Sequence, residues 1–336
     1  MAATAGRGIA GSGERVNPEY TALRMSAALV ELGSLSVFEL YGPDATVFLQ
    51  GMITNDVKQL SAGEGCLAAL LTPIGKLIAD LVVLKRSPES YWLICRKERR
   101  EPAMGALSRF IIADQVELGE VPNHASLGVF GPAASERLAG VLETLPSKPF
   151  AHLEAMLEEV SIRVVRDTRF GVDGYQLWMA AERKAECVRR ITDRCNCLPA
   201  GEDAFETLRI EAGVPAYGID WDETNIPLES NLDAALNFKK GCYTGQEVIA
   251  RVTYLGSVSK KLMGLLVRGD VLPQRGEELV RDGEVAGHVT SAVWSPKLGA
   301  PIALAYVKRK FMDAAEVELK LSGTQAAVRP LPLVAG

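Results

Sequence analysis

A short pattern that occurs twice constrains the fold of this chain more than any other feature. Gly-Pro-x-Ala stands at Gly42–Ala45 and again at Gly131–Ala134. In both copies an apolar, strand-like run precedes the glycine, and a leucine follows the alanine by four residues. Glycine ends a strand, and proline suits the first turn of a helix because its missing N–H would have no partner there. The pattern predicts two related, ferredoxin-like α+β halves, each with helices on one face of an antiparallel sheet.

A change in composition after Val252 predicts a further domain. The 336 residues of the chain are enough for two or three domains. Beyond Val252, short apolar stretches alternate with glycines, which is typical of a small all-β barrel or sandwich. We therefore predict a disordered tail at 1–25, α+β domains at 26–125 and 126–255, and a C-terminal β-barrel at 256–336.

Composition limits the classes of function. The formal net charge of −5 argues against a nucleic-acid-binding surface, because such surfaces are usually basic. No apolar run approaches the ~20 residues of a membrane span, and no secretory signal is evident. We therefore expect no nucleic-acid or membrane partner and a cytoplasmic location, or the mitochondrial matrix if the source is eukaryotic. Cys195 and Cys197 resemble half a zinc site, but no second Cys or His doublet accompanies them, so we expect core thiols and no resident metal.

The octapeptide Lys240–Glu247, KGCYTGQE, contains the strongest candidate for chemistry. It places the thiol of Cys242 two residues after a lysine and between two glycines. A thiolate forms more readily beside a cation or at a helix N-terminus, so Cys242 is a candidate reactive thiol and Lys240 a candidate activating neighbour. The alternative is a glycine-bounded turn that happens to contain a cysteine.

The same octapeptide resembles the signature of the YgfZ family, which are folate-binding proteins that support iron–sulfur cluster assembly or repair. That family is related to the T-protein of the glycine cleavage system, a tetrahydrofolate-dependent aminomethyltransferase. Only the octapeptide indicates the YgfZ branch specifically. Three further segments resemble the wider T-protein group: Val47–Val57, Leu208–Gly213 together with Ile226–Glu229, and Gly287–Pro296.

The resemblance implies a ligand, partners and roles for individual residues. The ligand would be tetrahydrofolate or a one-carbon-substituted folate, and the partners would be iron–sulfur client or scaffold proteins. Cys242 would contact a cluster only transiently, because a stable cluster normally takes four ligands. Lys240 would either lower the pKa of Cys242 or contact the glutamate tail of folate. The implied folate contacts are Asn55, Gln176, Arg209, Tyr243 and Gln246.

Two of these residues have an alternative role that the sequence leaves open. Arg209 flanks the apolar face of a predicted helix, where it could present its donors to a ligand or pair with Glu206 or Asp203. Gln176 stands where the aminomethyltransferases have a pterin-binding glutamate. Glutamine carries a donor as well as an acceptor, so it could still pair with a pterin edge, but in a changed pattern and without charge.

The segment around Ala79 departs from the aminomethyltransferase pattern. Those enzymes have two adjacent aspartates here, and the first is proposed to act on the reacting amine. In this chain the first is Ala79, which cannot transfer a proton, and only Asp80 remains. Asp80 points the opposite way if the segment is a strand. We therefore predict a tetrahydrofolate-binding protein that assists the assembly or repair of iron–sulfur clusters in client enzymes, with Cys242 as the reactive thiol. A folate-dependent aminomethyl or one-carbon transferase is the alternative, and a folate-binding regulatory module with a structural Cys242 is a further one.

Overall fold

The computed structural model describes residues 17–254, 256 and 258–335. The first elements are helix α1 (Pro18–Met25) and strand β1 (Ala28–Glu31). Helix α1 begins where the side chain of Asn17 accepts hydrogen bonds from the backbone N–H groups of Glu19 and Tyr20. Most of the predicted tail, residues 1–16, lies outside the described residues, but residues 18–25 form a helix instead of the predicted disordered segment.

The first half is a five-stranded antiparallel sheet with two helices on one face. The strand order is β3-β4-β5-β2-β6, and apolar side chains of both helices pack against one face of the sheet. Its elements are β2 (Leu35–Tyr41), α2 (Ala45–Met52), β3 (Gly65–Leu71), β4 (Leu77–Ser87), β5 (Ser90–Arg96), α3 (Lys97–Ser108) and β6 (Glu117–Glu120).

The second half repeats this arrangement. Its six-stranded sheet has the order β11-β1-β7-β10-β9-β8, with helices α4 and α5 packed on one face. Strand β1 belongs to this sheet and not to the predicted first domain, because it pairs with β7 and β11. The elements are β7 (His124–Phe130), α4 (Ala134–Ala139), β8 (His152–Leu157), β9 (Val160–Arg166), β10 (Gly174–Ala180), α5 (Lys184–Cys195) and β11 (Leu198–Ala200).

The two glycines of the repeated pattern explain why the halves begin alike. Gly42 and Gly131 have φ values of +133° and +136°. A Cβ atom there would lie 2.2 Å from the carbonyl oxygen of Gln115 and 2.3 Å from that of Ser26, respectively. Only glycine fits both the dihedral angle and the space. The predicted pair of α+β halves is confirmed.

The two sheets face each other through their uncovered faces. Val82 and Leu84 of β4 pack against Val165 and Trp178 of the second sheet. Because side chains alternate along a strand, the residues between them point the other way, into the helix-covered core of the first half. The facing sheets create the interior layer in which the candidate site lies.

The strands from β12 onward form a closed six-stranded barrel, as predicted. Helix α6 (Glu202–Ala212) and helix α7 (Gln246–Tyr254) precede it, and Ile210 of α6 packs against Leu304 of the barrel. None of the helices in the described ranges is long and apolar enough to cross a membrane. The barrel order is β12-β15-β14-β13-β16-β17. Its strands are β12 (Lys260–Val267), β13 (Glu278–Arg281), β14 (Glu284–Ser295), β15 (Ala300–Lys308), β16 (Glu316–Leu319) and β17 (Gln325–Arg329).

Candidate functional site

A cavity of about 200 Å³ lies where the two halves meet the segment that leads to the barrel. Strands β3 and β4 of the first half and Arg169 of the second half line part of it. The remaining lining comes from residues 212–215, at the end of α6, and from residues 231, 232, 234 and 235. Most of these side chains are small and apolar, so the few polar groups define what the cavity can bind.

Asp80 is the acidic group of this cavity. It lies on β4 between Ala79 and Leu81, and it lines the cavity wall. Its Oδ1 atom is enclosed and has no hydrogen-bond partner among the described residues. Burial raises the pKa of Asp80, while the positive charge of Arg169 opposes that rise. A buried carboxylate oxygen without a partner is costly, which favours a ligand donor at this position.

Ala79 lies on the other side of strand β4 from Asp80. Its side chain is fully buried in the helix-covered core, in the cluster that contains Phe48 and Leu81. A side chain at position 79 therefore faces away from the cavity, whereas one at position 80 faces into it. The aspartate that this chain retains is thus the one that lines the cavity, while the inference that Ala79 removes the acid–base group stays a prediction.

Gln176 is not among the residues that line the cavity. Its Nε2 donates to Oδ2 of Asp167 at 2.7 Å, and its Oε1 accepts from Nε1 of Trp178 at 3.0 Å. Asp167 is fully buried and in turn accepts from Nε and Nη2 of Arg169 at 2.9 and 2.7 Å. The predicted folate contact at Gln176 is corrected: both ends of its amide are already used inside the protein, and Arg169 is the residue that reaches the cavity.

Arg209 is likewise engaged by the protein itself. Nε and Nη2 donate to the carboxylate of Glu206 at 2.7 and 2.6 Å, and Nη1 donates to Asp220 at 2.7 Å. The remaining two N–H groups meet Ser291 on β14 and the carbonyl of Val214. A guanidinium has five N–H donors, so none is left for a ligand. The pairing with Glu206 is observed, and Arg209 joins α6 to the barrel in place of the predicted folate contact.

Lys240 is turned into the protein. Its Nζ donates to the carbonyl oxygens of Gln50, Ile53 and Asn55 at 2.7, 2.6 and 2.8 Å. These carbonyls lie at and just beyond the C-terminal end of α2, where helix carbonyls lack intrahelical partners and a cation is favourable. Burial lowers the pKa of Lys240 to about 8. An ammonium has three donors, so the predicted role as a cation presented to Cys242 or to an anion is corrected to that of a helix cap.

Further contacts hold the octapeptide against the segment Val47–Val57. The backbone N–H of Thr244 donates to the carbonyl of Gly51 at 3.0 Å. Gly245 has a φ of +82°, and a Cβ there would lie 2.6 Å from the carbonyl oxygen of Thr72. The side chain of Asn55, in the same segment, is also held in place. Its Nδ2 donates to the carbonyl of Leu67 at 2.6 Å, and its Oδ1 accepts from the N–H of Asp56. Two motifs far apart in the sequence therefore form one unit.

The residues around Cys242 differ in exposure. Cys242 is exposed, whereas Tyr243 is buried against Leu71 and Ile249. Burial raises the pKa of Tyr243. Gln246 is the first residue of α7 and is partly exposed. Cys242, Tyr243 and Gln246 do not line the cavity of Asp80. The structure thus separates the predicted thiol from the cavity and leaves the folate roles of Tyr243 and Gln246 as predictions.

The other thiols lie in packed regions. Cys187, Cys195 and Cys197 are buried in the core of the second half, as expected for core thiols, and Cys95 is buried in the first. Burial raises the pKa of Cys66, which is partly exposed, to about 12. Among the described residues, no group of three or more His, Cys, Asp or Glu side chains is arranged to hold a metal ion.

Sequence reasoning missed Arg169 and Asp167, and it dismissed Asp80. The signal for Asp80 was present, because strand alternation already placed Ala79 and Asp80 on opposite faces. What the pattern could not give is which face meets the cavity. Arg169 lies in a turn segment without periodicity, and only the fold brings it to β4.

Family models match almost the whole chain. The one described as the GCVT N-terminal domain matches residues 10–240, and the one described as the glycine cleavage T-protein C-terminal barrel domain matches residues 260–335. An aminomethyltransferase of Rubrobacter xylanophilus is 31% identical over 323 residues, which cover 94% of this chain and 86% of that protein. An aminomethyltransferase of a Nostoc species is 29% identical over 329 residues, which cover 94% and 87%.

A solved structure supports the same fold. The glycine cleavage system aminomethyltransferase T from Bartonella henselae superposes with a TM-score of 0.85 and 21% sequence identity, covering 94% of this chain and 89% of that one. At this identity the likeness shows the fold alone. Two α+β halves followed by a barrel are the arrangement that both chains share.

Proposed function

Because the chain belongs to the glycine cleavage T-protein family, we propose that it binds a reduced folate in the cavity of Asp80 and there acts on the one-carbon unit that the folate carries. The observation that carries this proposal is the enclosed, unpartnered Oδ1 of Asp80 on the wall between the two halves. The names of the relatives, which are aminomethyltransferases, support folate-dependent one-carbon transfer over the other functions considered.

The residues of the cavity fit such a ligand. Asp80 offers an acceptor to a ring or amine N–H, and the apolar walls around it exclude water from that bond. A carboxyl with a raised pKa can hold or release a proton nearer to neutral pH than an ordinary aspartate can, which suits general acid–base chemistry at an amine. When bound, the folate supplies the carrier for the one-carbon unit, and Asp80 orients the ligand and exchanges the proton at its Oδ1.

A binding titration tests the proposal. Tetrahydrofolate is titrated into the wild type and into the Asp80→Asn variant, which keeps the shape of the side chain and removes its charge. Loss of a charged hydrogen-bond partner typically costs about 1.5–3 kcal/mol, so binding should weaken at least tenfold. Asp270→Asn, at an exposed aspartate of the barrel domain, is the matched control and should bind like the wild type. Equal affinities of Asp80→Asn and wild type would contradict the assignment.

A second candidate function rests on Cys242. All six cysteines lie in the described part of the chain, and Cys242 is the exposed one among them. The octapeptide that resembles the YgfZ signature is held to α2 by Lys240, so the thiol is presented on an anchored loop. Support of iron–sulfur client or scaffold proteins through this thiol is therefore a second proposal. It requires a reducing compartment, such as the cytoplasm or the mitochondrial matrix, in which the thiol stays free.

Two variants separate the candidates in cells that lack the native protein. If folate chemistry alone is the function, Cys242→Ala restores growth and Asp80→Asn does not. If the thiol serves iron–sulfur proteins, Cys242→Ala binds tetrahydrofolate like the wild type but fails to restore the activity of iron–sulfur enzymes. Full restoration of those enzymes by Cys242→Ala would remove the second candidate.

A further inference from the structure

The guanidinium of Arg169 is only half used by the protein. Nε and Nη2, which share one edge of the planar group, donate to the two carboxylate oxygens of Asp167. In the described part of the chain, Nη1 has no hydrogen-bond acceptor, and the side chain, which is 19% exposed, lines the cavity. Three of its five N–H donors, both on Nη1 and the second on Nη2, therefore have no acceptor in the described part of the chain.

A series of buried groups fixes the direction of this fork. Asp167 is completely buried, and its Oδ2 accepts from Gln176 as well as from Arg169. Gln176 is also completely buried and is itself oriented by the indole N–H of Trp178. Buried polar groups that are hydrogen-bonded to one another are rigid, because a rotation would break these bonds. Arg169 is thus held from behind by Asp167, Gln176 and Trp178.

Asp80 lines the same cavity, and its Oδ1 is the unpartnered acceptor. Arg169 and Asp80 line the same cavity without forming an ion pair with each other. The charges that act on Asp80 are Arg169 from the second half, Arg96 at the end of β5 and Arg99 on α3, and the thiol of Cys95 lies nearby. Of these three arginines, only Arg169 lines the cavity. A donor and an acceptor therefore line the same space of about 200 Å³.

We propose that Arg169 is a second ligand-binding group of this cavity, donating from Nη1 to an acceptor of the ligand while Asp80 accepts from a donor of the same ligand. Asp167 and Gln176 are the positioning residues that hold Arg169 in this orientation. The inference rests on the proposed function and narrows its ligand to one that carries both a carbonyl-type acceptor and an N–H donor. A bicyclic amide of the pterin type has both groups on one rigid ring.

The uncharged side chain of Gln176 contributes to the orientation of Arg169. Its amide N–H meets the buried carboxylate of Asp167 at 2.7 Å. A glutamate at position 176 would place a second carboxylate against the first, and two such groups cannot both stay ionised at that distance. The pair would either take up a proton or draw Arg169 away from the cavity. With glutamine at position 176, Asp167 stays ionised and pairs with the guanidinium of Arg169.

The test is a set of tetrahydrofolate titrations at several pH values between 5.5 and 8.5. Arg169→Gln should lose at least tenfold in affinity, and Arg169→Lys, which keeps the charge without the fork, should recover part of that loss. Arg96→Gln removes an equal charge outside the cavity and should bind within twofold of the wild type.

Gln176→Glu should bind more weakly, with a deficit that is larger at pH 8 than at pH 6, because the added carboxylate is ionised at the higher pH. A merely structural defect would give a deficit that does not change with pH.

The outcomes separate the inference from the function it rests on. If the wild type binds and Arg169→Gln binds within twofold of it, the inference is overturned and the proposed function stands. If the wild type does not bind tetrahydrofolate, the proposed function fails, and the carboxyl of Asp80 is titrated by ¹³C NMR without ligand. Its pKa should then rise in Arg169→Gln and rise less in Arg96→Gln. An unchanged pKa in Arg169→Gln would overturn the inference as well.

Discussion

Replacing Lys240 by methionine tests how the octapeptide is anchored. The variant keeps most of the apolar stem and removes the ammonium, so the carbonyl oxygens of Gln50, Ile53 and Asn55 lose their shared donor. Only 7% of Lys240 is exposed, and water would reach these carbonyls poorly after the change. A partner left unsatisfied in such a place costs about 1–3 kcal/mol. Burial of the charge, which lowers the pKa of Lys240 to about 8, offsets part of the gain from the three bonds. We therefore expect a loss of about 2–3 kcal/mol.

Two measurements check this value. Urea unfolding of Lys240→Met and of the control Lys239→Met gives the free energies, and the control should change by less than about 0.5 kcal/mol because Lys239 is exposed. Hydrogen exchange then locates the effect, which should be greatest in residues 50–56 and 240–246. A free energy of unfolding within about 0.5 kcal/mol of the wild type, with unchanged exchange in these segments, would refute the capping role.

Three further predictions concern the junction of the halves and the octapeptide. His152 has its pKa lowered to about 4 by burial and by Arg163, so the unfolded chain binds the proton more tightly and stability falls as the pH decreases from 6.5 to 4. The loss is at most about 3 kcal/mol, and a His152→Asn variant followed by urea unfolding should lack this pH dependence. Cys242 should react with iodoacetamide faster than the five other cysteines, as read by mass spectrometry, because it is the exposed thiol; a faster reaction at Cys66 would contradict this. Gly245→Ala should lower the thermal midpoint, because its Cβ meets the carbonyl oxygen of Thr72 at 2.6 Å, whereas Gly256→Ala should lower it less because nothing lies within 4 Å.

Local patterns predicted the architecture well. The repeated Gly-Pro-x-Ala pattern fixes a strand, a turn and a helix within a dozen residues, and such short-range signals survive in the fold. Strand β1 was assigned to the wrong half because its pairing with β7 and β11 is set by residues about 100 and 170 positions away. Nothing in the four residues Ala28–Glu31 distinguishes one sheet from the other.

The site was predicted less completely, because its residues are combined by the tertiary fold. Alternation along β4 correctly opposed Ala79 to Asp80, but the face that meets the cavity depends on how the second sheet packs. Gln176 and Arg209 are polar and buried as ligand residues often are, yet their partners are Asp167 and Asp220, which only the folded chain brings near them. Lys240 was interpreted from its neighbour in sequence, although its contacts are about 190 residues away.

The central claim is that Asp80, and not position 79, serves the ligand of this cavity, and the pH dependence of tetrahydrofolate affinity tests it most directly. Ionised Asp80 accepts a hydrogen bond from the ligand, and burial raises its pKa. Affinity of the wild type should therefore fall as the pH is lowered, at a pH above the ordinary aspartate value of about 3.9. The Asp80→Asn variant should bind at least tenfold more weakly, and its affinity should not fall in this way. The affinity of Ala79→Asp should have the same pH dependence as that of the wild type and should not be higher. Superimposable pH curves for the wild type and Asp80→Asn would contradict the account.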